Sequence, residues 1–470
     1  MQALPKVSVI VPAYNGADLI GETIQSVLDQ TYPHWELLIV DDRSPDQTAE
    51  VVRQFKDARI KYILHEENRG PDLARLTGLR ASVGEIIAFL DQDDLFHPEK
   101  LERHVAYLAK HPEIGFTYNA RFALNHSAKS VRELWRPPQT ITLPDLVLAF
   151  PFAPSDMVMR RAWACREDIW EIDTQGSEIV FLGRLFLAGC RFGFVEQALN
   201  YRRYHGERTM RNLTGKCADE LRCQEIIFTD PRCPAEVRAL RTVGNVNLYV
   251  VWAYHAFVQG ETETGKALLN KALALKPDLL AGVPCELVRT LASYAMSNES
   301  RDYEQLVQSI AAQLPATVGK LAEQWQGVIK QGYLLKGARA IVWGRNEDGG
   351  RFFKRANELG AKPDKLFMDQ LVYELINYEA EFGSEAAHQI LDKIAKQLER
   401  TFTPTGAREL KGCFSINQAF RHYHAQEYQK VPGNVFRALF NEPRYLTNRG
   451  LLSVLFQSVV RKKVQQAAAL

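Results

Sequence analysis

Cysteine is scarce and unpatterned in this chain. Seven cysteines occur in 470 residues, Cys165, Cys190, Cys217, Cys223, Cys233, Cys285 and Cys413, with no CxxC pair among them. An odd, scattered set excludes a disulfide framework and reads as reduced thiols. Long apolar runs are absent too, since no stretch approaches the ~18 residues that span a bilayer. The opening MQALPKVSVIVPAYN has one early lysine and an apolar run too brief for a signal-peptide core. Excess charge of one sign is also missing: 58 basic against 56 acidic residues leave a formal net charge of +2. That balance gives no reason to expect nucleic acid or an acidic polymer as partner. What remains is a chain with 46% hydrophobic and 24% charged residues, the composition of a folded globular protein. Its length predicts two or three domains. The expected location is cytoplasmic.

The first hundred residues alternate strand and helix. KVSVIVP (6–12) is a β-branched run with the pattern of a strand buried on both faces. Ile20, Ile24, Val27 and Leu28 then recur at helical spacing over 17–30. WELLIVDD (35–42) reads as a second buried strand, followed by Ser44-Pro45-Asp46-Gln47 as a cap, first-turn proline and capping-box glutamine. RIKYILH (59–65) is a third strand, Gly70-Pro71 opens a helix, EIIAFLD (85–91) is a fourth strand, and Pro98 starts another helix. Repeated strand–helix units predict a parallel, Rossmann-like sheet with right-handed crossovers. IGFTYNARF and CRFGFVEQALNYRRYH are further strand candidates between 113 and 212. Beyond about 213 the pattern turns helical. Two stretches, 253–280 and 416–446, have the rhythm of paired helices resembling tetratricopeptide units. The expected domains are 1–212 (α/β), 213–335 (helical) and 336–470 (mixed or helical).

In doubly wound sheets, ligands bind outside the carboxyl ends of the strands. Three of the four strand ends here carry ligand-capable groups: Tyr14-Asn15, Asp41-Asp42, and Asp91 with Asp93-Asp94. Hard carboxylate oxygens at a strand end suit Mg²⁺ or Mn²⁺ bridging to a diphosphate. The plainer reading is an acidic cluster favouring the dipole of the helix that begins near Pro98-Glu99.

The motifs VSVIVPAYNGADLIGETIQSVLDQTYPHWELLIVDDRSPDQT (7–48), ENRGPDLARLTGLRASVGEIIAFLDQDDLFHPEKLE (67–102) and LNYRRYHG (199–206) occur in order. Together they resemble a family 2 glycosyltransferase with the nucleotide-diphospho-sugar transferase fold called GT-A. The resemblance covers roughly residues 5–210. It implies nucleotide-sugar contacts from Pro12, Tyr14, Asn15, Asp42, Arg75 and Asp91. A divalent metal, Mn²⁺ or Mg²⁺, is implied on Asp93 and Asp91, with His205 completing metal or diphosphate binding. Arg43 stands where the family usually has glycine, and Leu76 where it often has asparagine. The family's acidic pair at the catalytic helix reads Ser177-Glu178 here. Glu178 is therefore the candidate base for an inverting transfer, with Asp173, and Glu171 beside it, as fallback. The implied partners are a nucleotide-diphospho-sugar donor, UDP by default, and a glycan or lipid-linked acceptor in cell-surface polysaccharide or glycoconjugate synthesis.

Two other readings compete. ARAIVWGRNEDGGRFFKRANELGAKPDKLFMD (338–369) reads as strand, turn, helix and short strand, but its glycines do not spell GxGxxG, which leaves a small structural βα insertion. Alternatively, the helical half binds a protein partner and the N-terminal half is a non-catalytic scaffold. RGLLSVLFQSVVRKKVQQ (449–466) is apolar on one side, with Arg461, Lys462 and Lys463 nearby. It could lie peripherally on a membrane surface or dock on its own domain.

Overall fold

The computed structural model describes residues 4–125, 130–149, 152–169, 178–204, 212–298, 300–315, 318 and 321–468. The chain divides into two units, Met1–Ala322 and Glu323–Leu470. The first holds β1 (Val7–Ala13), α1 (Ile20–Leu28), β2 (Trp35–Asp41), α2 (Thr48–Gln54), β3 (Ile60–Leu64), α3 (Pro71–Ala81), β4 (Ile86–Phe89), β5 (Leu95–Phe96) and α4 (Lys100–Lys110). Then come β6 (Ile114–Asn125), β7 (Val131–Trp135), α5 (Leu143–Ala149), β8 (Val158–Arg160), α6 (Arg161–Ala164), α7 (Glu178–Leu187) and β9 (Arg191–Tyr204). Six helices complete the unit: α8 (Leu213–Thr229), α9 (Ala235–Arg238), α10 (Arg241–Gln259), α11 (Thr262–Leu275), α12 (Glu286–Ser297) and α13 (Tyr303–Gln313).

Among the described residues the strands form one mixed sheet in the order β3-β2-β1-β4-β8-β6-β9-β5, with β7 paired to β6. The first four are parallel, in the register Val7↔Trp35, Leu37↔Ile60 and Val7↔Ile86. All seven positions of β1 and of β2 are buried, as their largely apolar runs predict for strands covered on both sides. Strand order runs outward from β1 through β2 to β3, then resumes on the other side of β1 with β4. That reversal places a switch point between the ends of β1 and β4, where a doubly wound sheet opens a crevice. Helix α3 lies so close to the sheet that a Cβ at Gly78 would sit 2.5 Å from a methyl of Ile10.

The structure corrects two local readings. The second helix starts at Thr48, and its cap position carries no side-chain hydrogen bond. Ser44 does not cap it: its hydroxyl accepts from the Asn15 amide at 3.1 Å, while Asp46 accepts from the Thr48 amide at 3.1 Å. Arg43 adopts φ 64° in this turn, the left-handed region where a glycine would sit without a Cβ clash. Residues 338–342 are helix rather than strand, and no βα insertion forms there. The AIVW run that suggested a strand closes a 21-residue helix, a case of tertiary context overriding local β-propensity.

The second unit consists of α14 (Ala322–Val342), α15 (Asn346–Glu358), α16 (Lys365–Phe382), α17 (Ser384–Thr401), α18 (Pro404–His424), α19 (Val431–Asn441) and α20 (Arg449–Ala468). Leu451 and Val454 of α20 bury against Ala419 of α18 and Val435 and Ala438 of α19. One stripe of the C-terminal helix thus docks on its own unit, while Leu452 and Phe456 stay exposed. Among the described residues no helix is long and apolar enough to cross a membrane.

Candidate functional site

The turns after β1 and β4 are held together side by side. Gln92 brackets the Tyr14 backbone, its Oε1 accepting from the amide and its Nε2 donating to the carbonyl, both at 2.9 Å. Thr23 of α1 donates to the Gln92 carbonyl at 2.7 Å. The acidic turn is therefore pinned to its neighbour rather than left as a solvated loop.

Asp42, at the end of β2, is buried and heavily used. Its Oδ1 accepts from the Arg69 amide at 2.9 Å and lies 2.7 Å from His65 Nδ1, while Oδ2 accepts from the Gly70 amide at 2.7 Å. It thereby fixes the entry into α3. Its neighbour Asp41 accepts from the Ser44 amide at 2.8 Å and the Tyr62 hydroxyl at 2.6 Å.

Helix α3 delivers Arg75, which is buried and meets three carboxylates. Its guanidinium donates to Asp91 Oδ1 at 2.7 Å, Glu178 Oε1 at 3.0 Å and Asp72 Oδ1 at 3.0 Å. Burial works against its charge, but Asp91, Glu178 and Asp72 outweigh that and raise its pKa. The Nε–H still lacks a partner among the described residues.

Glu178 opens α7. Close packing of protein around it raises its carboxyl pKa, Arg75 opposes that, and the charges of Asp72 and Asp91 add to it. About 32% of the side chain nevertheless remains exposed, so a second molecule can reach it. A carboxylate that is accessible yet more basic than usual suits proton abstraction.

Asp94 is 3% exposed. Its oxygens accept from the Ser155 hydroxyl at 2.6 Å and the Arg203 amide at 3.1 Å. Burial pushes its carboxyl up to about 8, and the neighbouring Asp91 and Asp93 push the same way. That mutual repulsion is what a cation between the carboxylates would relieve, and hard oxygen donors fit Mg²⁺ or Mn²⁺. Even so, no ready-made group of three metal-ligating His, Cys, Asp or Glu side chains occurs among the described residues.

A cavity of about 950 Å³ opens here. Pro12, Tyr14, Asp42, Arg75, Asp91 and Asp93 line one side, so six of the residues picked from the sequence share one wall. Asn15 lies outside that wall, with φ 54°. Glu178 meets the cavity through Arg75. Asp173, Glu171 and His205 fall outside the described residues.

Sequence reasoning missed Asp72, whose signal was its i, i+3 spacing before Arg75 in PDLAR. It also missed the far wall, formed by Arg121 and Trp135 from β6 and β7 and by residues of α10 and α12. Nothing in the helical text marked Tyr254 or His255 as anything but core.

Residues 8–167 match the model of glycosyl transferase family 2. A putative teichuronic acid biosynthesis glycosyltransferase of Bacillus subtilis is 36% identical over 143 residues, 30% of this chain and 56% of its own length. The UDP-Glc:alpha-D-GlcNAc-diphosphoundecaprenol beta-1,3-glucosyltransferase of Escherichia coli is 41% identical over 136 residues, 29% of this chain and 53% of its own. The chain thus spans about half the length of these curated relatives. The solved structure of S. aureus TarS aligns over 76% of this chain and 93% of that one at 19% identity, with a TM-score of 0.41. So weak an overlay carries no inference about this chain.

Proposed function

We propose that the chain is an inverting, metal-dependent glycosyltransferase of GT-A type, since residues 8–167 match the model of glycosyl transferase family 2. The donor is a nucleotide-diphospho-sugar, with UDP as the expected nucleotide. The acceptor is a glycan or lipid-linked saccharide, in cell-surface polysaccharide or glycoconjugate synthesis. The observation that carries this reading is the bridge from Glu178 through Arg75 to Asp91, with both contacts within 3.0 Å. It ties a candidate base to the carboxylates of the Asp-x-Asp turn.

In this reading, the turn at Pro12 and Tyr14 and the pocket beside Asp42 hold the nucleoside. A divalent cation on Asp91 and Asp93, with His205 as the expected further ligand, would supply countercharge to the departing diphosphate. Glu178 takes the proton of an acceptor hydroxyl as its oxygen bonds to the anomeric carbon. The bond from that carbon to the diphosphate oxygen breaks, and the electron pair leaves with the diphosphate. Arg75 holds the base in place and favours its ionised form against the effect of burial.

The test is thermal stability with UDP, GDP, dTDP and CDP, each with and without Mn²⁺. A ligand at a hundredfold over its Kd stabilises by about 2.7 kcal/mol. The expected outcome is a Mn²⁺-dependent shift with one nucleotide, lost in Asp93→Ala. In Glu178→Gln the shift should persist while turnover of the nucleotide sugar falls by ~10²–10⁴. No shift with any of the four in folded protein would favour a non-catalytic scaffold.

A further inference from the structure

The cavity is larger than its acidic wall requires. At about 950 Å³ it lies at the upper end of the ~300–1,000 Å³ of ligand sites, and its lining extends well beyond the acidic turn. Part of its far wall comes from α10 and α12, which lie outside the family-matching segment 8–167. What that part binds is therefore not dictated by the shared domain. We propose that Tyr254, His255, Gln259 and Tyr294 form the acceptor subsite, and that the acceptor presents an uncharged pyranose to it. This proposal rests on the transferase reading above.

Three observations point to a neutral, hydroxyl-rich ring. First, Tyr254 and Tyr294 pack with ring centroids 5.4 Å apart at 57°, and the Tyr254 hydroxyl donates to the Tyr294 carbonyl at 3.2 Å. The pair is rigid, and aromatic faces are electron-rich, the match for the C–H face of a sugar. Second, burial, with Lys216 nearby, holds the His255 pKa below its ordinary value. A neutral imidazole donates through one nitrogen and accepts through the other, as a hydroxyl does. The Gln259 amide adds both functions, so the α10 side chains offer hydrogen bonds without charge beside the charged Arg121 and Glu133 of the same cavity. Third, the base is linked to α10: Glu220 on α8 feels the charge of Glu178 and accepts from the indole N–H of Trp252 on α10 at 2.9 Å.

The experiment uses the full chain with UDP and Mn²⁺, and p-nitrophenyl pyranosides of glucose, galactose and N-acetylglucosamine as probes, followed by saturation-transfer NMR. At least one probe should bind alongside UDP. Tyr294→Ala and His255→Ala should weaken it tenfold or more while leaving the UDP–Mn²⁺ thermal shift unchanged. Gln259→Ala, at the last position of its helix, provides a variant with little risk to folding and should weaken it at least threefold. Three results would overturn the proposal: no probe binding to protein that shows the nucleotide shift, a probe displaced by UDP, or equal binding by all three variants. Absence of the nucleotide shift in wild type would instead defeat the transferase reading, while variant-sensitive sugar binding would still stand on its own.

Discussion

At the scale of single residues, the site depends on how crowded carboxylates share protons. Asp91, Asp93 and Asp94 closely follow a buried strand, and Asp91 has a short contact to a buried cation, Arg75 at 2.7 Å. Asp94 is driven up to about 8, against an ordinary aspartate value near ~3.9. The native state therefore holds more protons than the unfolded chain between roughly pH 4 and pH 8. Stability from this group is fully present below that window and lost as pH rises through it, by at most about 1.4 kcal/mol per pH unit. Asp94→Asn keeps both hydrogen-bond partners, with its oxygen on the Arg203 amide and its NH₂ donating to Ser155. The expected outcome is a higher melting temperature than wild type at pH 8, little difference at pH 4, and a flatter pH profile, read by calorimetry at several pH values. A profile parallel to wild type would show that Asp94 titrates normally.

At the scale of elements, the sheet is tied by a second buried carboxylate far from the chemistry. Glu36 on β2 accepts from Ser8 of β1 at 2.6 Å, from the Val83 amide at 2.8 Å and from Lys61 of β3 at 2.8 Å. Burial would raise its pKa, but Lys61, Ser8, Val83 and Lys6 together bring it down to about 2. The ionised form stabilises the fold fully above the unfolded value near ~4.3, and that contribution disappears as pH falls toward 2. Glu36→Gln should destabilise by about 1–3 kcal/mol at pH 7. The gap to wild type should narrow below pH 4, as urea titrations at pH 7 and pH 3 would reveal. An equal gap at both would mean that shape, not charge, makes the tie. Elements like β1 and β2 were legible in the sequence because a strand buried on both faces reads as a short, nearly continuous apolar run, here β-branched and bounded by turn residues. The stretch 338–342 misled for the related reason that AIVW is equally apolar inside a packed helix. The acidic wall was legible because ligand-capable groups at strand ends stand out against apolar runs. Tyr254, His255 and Tyr294 were not, because an aromatic at helical spacing looks identical whether it faces core or cavity, and only the packing of α10 and α12 decides.

At the scale of the molecule, the α/β and helical parts of the first unit are one folding problem. Gly183 of α7 lies so close to α8 that a Cβ there would meet Ile227 at 2.6 Å. Gln224 of α8 donates to the Val147 carbonyl of α5 at 2.6 Å, and Asn247 of α10 to the Leu148 carbonyl at 3.0 Å. Ile227 and Phe228 are both 1% exposed. Ending the chain at residue 212 would uncover the faces of α5 and α7 that these side chains seal, at ~25 cal/mol for each Å² of apolar surface exposed. It would also remove Tyr254, His255 and Tyr294 from the cavity. Ending it at 322 instead keeps every residue that lines the cavity, since the last of them is Asn298. The expected outcome is that residues 1–322 unfold in one cooperative transition and keep the full nucleotide–Mn²⁺ thermal shift. Residues 1–212 should aggregate, or melt without a cooperative transition. Circular dichroism melts of the two fragments beside the full chain are the measurement. A well-folded 1–212 fragment with an undiminished shift would mean that the helices are an appendage to the donor site rather than part of its wall.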